Sequence, residues 1–364
     1  MISNRRTLYS LIWVATVSLC LSACGSKPTP PEAVPLRAPT VLLRAETPIA
    51  PNLNVSIMTF SNANTEDGRI SRIYAPIREA EASYLPIALR DTLIESGYWG
   101  AVKVGPSNDV AAELQINAQI LASNALDLTL QVQVTDSRGI VWVDKIYKEP
   151  AQTSAYLVAE KVREDPFQSL YNRIANDILG VRQLMSDAEA NTIMQAALLR
   201  YANALAPQAF AGYLVPDANG IIQVTGLPAV DDTMYARVKK IREAEYRFTD
   251  LMDEHFDVFH KRLQTVYPYW QTYSFELIDY NNDISTDKSR RRSGSWAATE
   301  YAYRTYKEYK MNEDELRELA DSFKAEIHPT ISRLEGSVIE LTGPLDAQYA
   351  QWREILRKLY VQER

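Results

Sequence analysis

The sequence is almost without cysteine. Its two, Cys20 and Cys24, lie within the first 24 residues. No disulfide therefore braces the rest of the chain, and no thiolate further along can bind zinc or attack a substrate. Histidine is nearly as scarce: His255, His260 and His328 are the only three, and a multi-histidine metal site would need almost all of them. Glycine is 13 of 364 residues, against an average of roughly 7%. That argues against glycine-rich phosphate loops and many-turned all-β folds, and favours long helices. No Gly-x-Ser-x-Gly, P-loop or Gly-x-Gly-x-x-Gly motif occurs. An excess of basic charge is also missing. The net charge of -7 excludes a surface given over to nucleic acid. What is present is ordinary for a folded protein: 46% hydrophobic and 23% charged residues, which excludes a mostly disordered chain and a polytopic membrane protein. The length suits two or three domains.

The amino terminus carries the sharpest signal. Arg5-Arg6 is a short positive start, without the rest of a twin-arginine motif. Leu8 to Leu21 is an apolar run of 14 residues broken only by Tyr9, Ser10, Thr16 and Ser18. A spanning helix needs roughly 20 residues, whereas a signal-peptide core needs roughly 7 to 15. Leu21-Ser22-Ala23-Cys24 follows. This looks like the lipobox of bacterial lipoproteins: an apolar residue, two small ones, then cysteine. An ordinary cleaved signal with incidental cysteines is the competing reading. The resemblance implies cleavage after Ala23, a thioether-linked diacylglycerol on Cys24 and acylation of its new amino group. Several acyl chains hold a protein firmly where one does so only marginally. Gly25 stands where an aspartate would favour inner-membrane retention, so family behaviour points to the outer membrane, lipid-anchored on its periplasmic face.

Residues 25 to 51 hold seven of the 18 prolines. Proline fixes φ and removes a donor, so 24–52 reads as a semi-extended tether. Its reach is about 80 Å at roughly 3.1 Å per residue. Asn54 to Phe60 reads as a strand, and Ser61 to Ala82 as a polar surface loop. Ser83 then caps a helix whose apolar face is Leu85, Ala88, Leu89, Thr92 and Leu93, closed by Gly97. Tyr98 to Val104 is a short strand. In 113–120 the apolar Leu114, Ile116, Ala118 and Ile120 alternate with Glu113, Gln115, Asn117 and Gln119. In 126–135 Leu126, Leu128, Leu130, Val132 and Val134 alternate with Asp127, Thr129, Gln131, Gln133 and Thr135. Period two sends each set to its own face. With Ile140 to Lys148 this makes an antiparallel meander with one covered face. Phe167, Leu170, Tyr171, Ile174 and Ile178 form a helical stripe able to cover it.

Strand, helix, strand, three-strand meander, helix: over 54–180 this order resembles a family of periplasmic α/β domains. The family includes the TolB amino-terminal domain, CsgG and LpoB. The likeness rests on the first strand, on Leu89 to Gly97 and on Asp136 to Val143. It implies binding and scaffolding rather than catalysis, and it brings no functional residue with it. CsgG's membrane-inserting strands have no counterpart here.

After Gly180 the chain reads as mainly helical. Ser186 to Leu205 is a helix, and 212–224 a hairpin on an Asn-Gly turn. Asp231 or Asp232 caps a long helix that Pro268 ends near Val266. Helices follow over 297–325 and 345–362, and 327–340 reads as helical too. The expected class is α+β: a signal peptide over 1–23, the tether over 24–52, an α/β domain over 53–182 and a mainly helical domain over 183–364.

Candidate sites are few. His255 and His260 are five apart, about 140° around a helix, and miss the i, i+4 spacing of zinc pairs; no metal site and no cofactor are expected. The acidic pairs Asp231-Asp232 and Asp253-Glu254 are read as caps and solvated faces. Lys288, Arg290, Arg291 and Arg292 form a local basic cluster that could meet an anionic surface, at about 1 kcal/mol per residue. Trp296, Tyr301, Tyr303, Tyr306 and Tyr309 ring one helix, against which Trp352 is expected to pack. The leading expectation is a non-enzymatic, membrane-anchored envelope adaptor or accessory factor with a protein partner and no nucleic acid. The alternatives are a peptidoglycan- or glycan-acting enzyme and a glycan- or lipid-binding module.

Overall fold

The structure, a computed structural model, describes residues 38–46, 48–63, 68–105, 112–124, 126–151, 165–286, 330–334, 337–343 and 345–362, with Lys307, Asp314 and Glu318. Residues 40–364 cluster as one compact unit. The protein is α+β. Strands β1 (Val55–Met58), β3 (Val102–Gly105), β4 (Leu114–Ser123), β5 (Asp127–Asp136) and β6 (Val141–Pro150) form a mixed sheet in the order β3-β1-β4-β5-β6; the short β2 (Ser61–Asn62) also pairs with β4. β1 runs parallel to both β3 and β4. β4, β5 and β6 are the antiparallel meander.

Alternation decides which face of the sheet is covered. Leu114, Ile116, Ile120, Leu128, Leu130, Val132 and Val134 are all fully buried. They join one core with Leu85, Leu89 and Leu93 of helix α1 (Gly68–Ser96) and with Leu170, Ile174 and Ile178 of helix α2 (Gln168–Gln183). Each such leucine or isoleucine contributes about 1.5–3 kcal/mol by leaving water. The turn between β5 and β6 is organised by Asp136. Its Oδ1 accepts from the Arg138 and Ile140 amides, and its Oδ2 accepts from the Arg138 guanidinium and from Trp142 Nε1 at 3.1 Å.

α1 starts far earlier than the sequence suggests. The expected loop over 61–82 is helix from Gly68, and the helix runs through Pro76. Ala80 and Glu81 are already buried, so core contacts outweigh the one amide donor that proline removes. At its end, Gly97 takes φ +75 and donates to Ile94 O at 3.1 Å. A Cβ there would also stand 2.6 Å from Ala45 O, so glycine is required twice over.

The extended segment expected to act as tether up to residue 52 joins the body from Thr40. Thr40 N donates to Ser169 Oγ at 2.9 Å, and Leu43 N to Asn176 Oδ1 at 3.0 Å. The amides of Asn172 and Asn176 in turn donate to the carbonyls of Thr40 and Val41, and Leu42 is buried. Arg182 reaches the carbonyls of Ala50 and Pro51.

Helix α3 (Asp187–Leu205) opens on a capping box in which Ser186 and Glu189 satisfy each other's amides. β7 (Leu214–Pro216) and β8 (Ile222–Val224) form the hairpin, with strands shorter than expected. The Asp217 carboxylate, accepting from the Asn219 and Ile221 amides, shapes its turn, and Gly220 takes φ +82. Helix α4 (Thr233–Thr286) starts on Asp232, whose Oδ1 accepts from the amides of Met234 and Tyr235. It does not end at Pro268; buried Tyr267 and Gln271 hold the turns on either side of the proline. The expected helix over 327–340 is instead a hairpin, β9 (Thr330–Leu334) with β10 (Ser337–Leu341). The β-branched Thr330, Ile331, Val338 and Ile339 favour strand. Helix α5 (Leu345–Gln362) is where the sequence places it. One buried cluster runs from Val55 on β1 to Tyr360 on α5, so 53–182 and 183–364 share a core. The span 297–325 lies outside the described residues apart from three single positions.

Candidate functional site

α4 lies along the edge strand β3, and charge fixes it there. Asp253 Oδ1 accepts from the Val104 amide at 3.3 Å and from Arg90 Nη1 at 2.9 Å. Arg90 also reaches Asp257 and Asp91. Burial alone would depress the Arg90 guanidinium; Asp253, then Asp257 and Asp91, more than offset it and hold its pKa above the ordinary value. Lys103 on β3 lies 3.1 Å from Asp250 and 3.5 Å from Asp253.

One turn before Glu245, Arg242 Nη2 meets Glu113 Oε1 at 2.7 Å in a buried pair. The other oxygen of Glu113 accepts from the Asn54 amide at 3.2 Å. Burial raises the Glu113 carboxyl, and Arg242 opposes that rise. Glu245 is buried and accepts from Arg353 Nε of α5 at 3.2 Å. On its apolar side α4 packs on α5: Phe248 stacks on Trp352 at 4.8 Å and meets Tyr349 edge-on at 5.3 Å.

Between α4 and the starts of β1 and β3 a cleft of about 260 Å³ remains, bounded by Ser56, Lys103, Arg242, Glu245, Tyr246 and Asp250 among others. A second, of about 250 Å³, lies between α3, α4 and α5. In the first cleft the carboxylates Glu245 and Asp250 each stand against a cation, Arg353 and Lys103. Such a lining suits binding more readily than proton transfer, which needs an acid or base poised to exchange. Among the described residues no group of three His, Cys, Asp or Glu is placed to hold a metal ion.

A buried polar cluster lies under α1. Glu81 Oε1 accepts from Ser123 Oγ at 2.7 Å and from Tyr267 Oη at 2.6 Å. Tyr84 stacks on His260 at 4.8 Å and leans on Tyr267 at 4.5 Å. His260 Nε2 stands 2.7 Å from the Gln264 amide. Burial lowers the pKa of this imidazole, and Asp91 pulls it back up. Near the start of α2, burial raises Asp165 to about 6, against the Phe167 amide that favours its ionised form.

The structure thus brings together residues that the sequence kept apart. His260 is a stacked interior ring, and His255 is half-buried. Asp232 is a cap, as read. Asp253 is no solvated face: it joins α1, β3 and α4. Arg90 and Arg242 escaped notice, although Arg90 sits beside Leu89 on an apolar stripe, which is a signal for a buried, paired charge; Glu113, read as part of the polar face of 113–120, is buried against Arg242. Cys24, the basic residues Lys288, Arg290, Arg291 and Arg292, and the aromatic ring of 296–309 lie outside the described residues. Trp352, expected against that ring, packs on Phe248.

Among the described residues no helix is long and apolar enough to cross a membrane. No protein-family model matches the chain, and no curated protein matches it. Solved structures do show faint likeness. The PelC dodecamer from Paraburkholderia phytofirmans is 14% identical with a TM-score of 0.24, over 36% of this chain and 92% of that one. Protein XCC0632 from Xanthomonas campestris, of the DUF330 family, is 11% identical with a TM-score of 0.21, over 42% and 95%. Values this low carry no inference about function or partners.

Proposed function

We propose that the chain is a lipid-anchored lipoprotein on the periplasmic face of the outer membrane, acting as a non-enzymatic adaptor or accessory factor of the cell envelope. The observation that carries this reading is the run Leu21-Ser22-Ala23-Cys24 directly after a 14-residue apolar core. A proline-rich stretch then leads to a folded body. A thioether-linked anchor needs a thiol, and Cys24 is the last thiol in the chain. The paired carboxylates of the α4 cleft support holding over cutting. In this reading Lys288, Arg290, Arg291 and Arg292 meet an anionic lipid surface or an acidic partner.

Radiolabelled palmitate fed to cells that express the chain tests the anchor. Label is expected in the native protein and not in Cys24→Ala; equal label in both would overturn it. Crosslinking in intact cells followed by mass spectrometry tests the adaptor role. Recurrent capture of one envelope protein is expected, reduced when the four basic residues are replaced by glutamine. Turnover of an envelope substrate by the purified mature chain would count against it.

A further inference from the structure

The face of the meander turned away from α1 and α2 has an unusual composition. Register places Lys103, Ser56, Gln115, Thr135 and Val141 in one row across five strands. The next rows are Asn117, Gln133, Asp144 and then Gln119, Gln131, Ile146. Four carboxamides therefore face one another in two adjacent rows. Gln131 and Gln133 are exposed, and Asn117 and Gln119 partly so. Among the described residues none of the four side chains has a hydrogen bond or ion pair. The chain has 46 acidic and 39 basic residues, yet these two rows hold a single charge, Asp144 at the sheet edge.

That neutrality selects a partner. A polyanion or polycation gains little from two rows whose one charge is Asp144. A carboxamide offers two donors and an acceptor, and a hydroxyl offers a donor and two acceptors, so the match is an uncharged chain dense in hydroxyls. The rows lie roughly 6.7 Å apart along the strands and the strands about 4.8 Å apart, which makes a ladder rather than a point site. Ile146, exposed at the row end, offers an apolar contact for the C–H face of a ring. The first row runs into the cleft beside α4, because Ser56 and Lys103 also line it. A second copy of the chain fits less well. Three strands by four rows cover about 400 Å², half of the roughly 800 Å² per partner of a stable interface.

We propose that this amide floor and the adjoining cleft bind an uncharged, hydroxyl-rich polysaccharide strand. The cleft would receive a chain end or substituent of limited size. The proposal goes beyond the adaptor reading and does not depend on acylation of Cys24.

Affinity electrophoresis of the purified mature chain tests it, with hydroxyethylcellulose, laminarin and glycol chitin as neutral probes and alginate as a polyanion. Retardation by at least one neutral glycan is expected, unchanged by added salt. Gln131→Ala combined with Gln133→Ala is expected to weaken it about 10-fold, from two lost hydrogen bonds of about 0.5–1.5 kcal/mol each. Ile146→Ser should weaken it independently, and Leu184→Ala, at an exposed site at the end of α2, should not. Thermal unfolding of each variant checks that the fold is kept. No retardation by any neutral glycan, retardation by alginate alone, or undiminished binding in both amide and Ile146 variants would overturn the proposal. So would a dimer in sedimentation that the amide variant abolishes, since the face would then belong to a second copy.

Discussion

Leu130 and Arg242 are both buried, and each ties its element to the rest of the molecule by different physics. Leu130 belongs to the meander, where Leu114, Ile116, Ile120, Leu128, Leu130, Val132 and Val134 make one apolar face and the attraction is spread over many contacts. Arg242 belongs to α4, where a few directed ion pairs meet the sheet and leave a cleft between them. Apolar packing weakens by degrees when an atom is removed. A buried ion pair fails abruptly, because the remaining partner keeps its desolvation cost.

The sharpest way to break this comparison is Arg242→Met. It strands Glu113 in the interior and should cost about 3–5 kcal/mol in urea unfolding. Adding Glu113→Gln, which leaves an acceptor for the Asn54 amide, should restore most of the loss. A single variant costing under about 1 kcal/mol would show that water reaches the pair. Leu130→Ala should cost about 2–5 kcal/mol, with no second substitution of similar simplicity to rescue it. Unfolding midpoints of the two series read side by side are the test.

Titration sharpens the contrast further. Asp165 is held near 6, above the usual 3.8. The folded state therefore binds its proton more tightly than the unfolded state. Its contribution to stability rises as pH falls from 7 through 6, and levels off near 4. Asp165→Asn should remove that slope, a difference on the order of 2 kcal/mol between pH 7.5 and 4. His260 acts with the opposite sign. Burial depresses its pKa, so its contribution is lost as pH falls below about 6.5. The wild-type minus Asp165→Asn difference in melting temperature against pH separates the two; a flat difference would refute the assignment. Ser186→Ala is the smallest of the set. It removes one side of the capping box and should cost about 0.5–2 kcal/mol, with the fold unchanged by circular dichroism.

What could be read from the sequence follows the same division. The alternation of β4 and β5, the stripe on α2 and the cap at Asp232 all appear where local pattern places them. Pattern suffices there because burial of a regular face needs no distant partner to be specified. Polarity misled at 61–82, where α1 begins at Gly68, and proline misled at Pro268. Pro76 and Pro268 each remove one donor, and tertiary packing carries the helix past them. The hairpin over 330–341 was misread because its strands are only five residues each, short enough for either period to fit. The ion pairs were invisible because Arg90 and Asp253, or Glu113 and Arg242, are more than 120 positions apart. The polar half of the alternation named every carboxamide of the open face. Only the register showed that they stand opposite one another beside a cleft.

The docking of the chain at Thr40 has a consequence for the proposed anchor at Cys24. Under the proposed acylation of Cys24, the sequence between the anchor and Thr40 is residues 25–39, little more than half the length the proline content alone suggests. Its span is at most about 50 Å at roughly 3.1 Å per residue. Local concentration of a moored domain rises as about the 3/2 power of such a shortening, roughly twofold here. Under that proposal a target within the radius is met sooner and one beyond it is out of reach, so the asparagines at 172 and 176 that grip the stem would help set how far from the bilayer the body works.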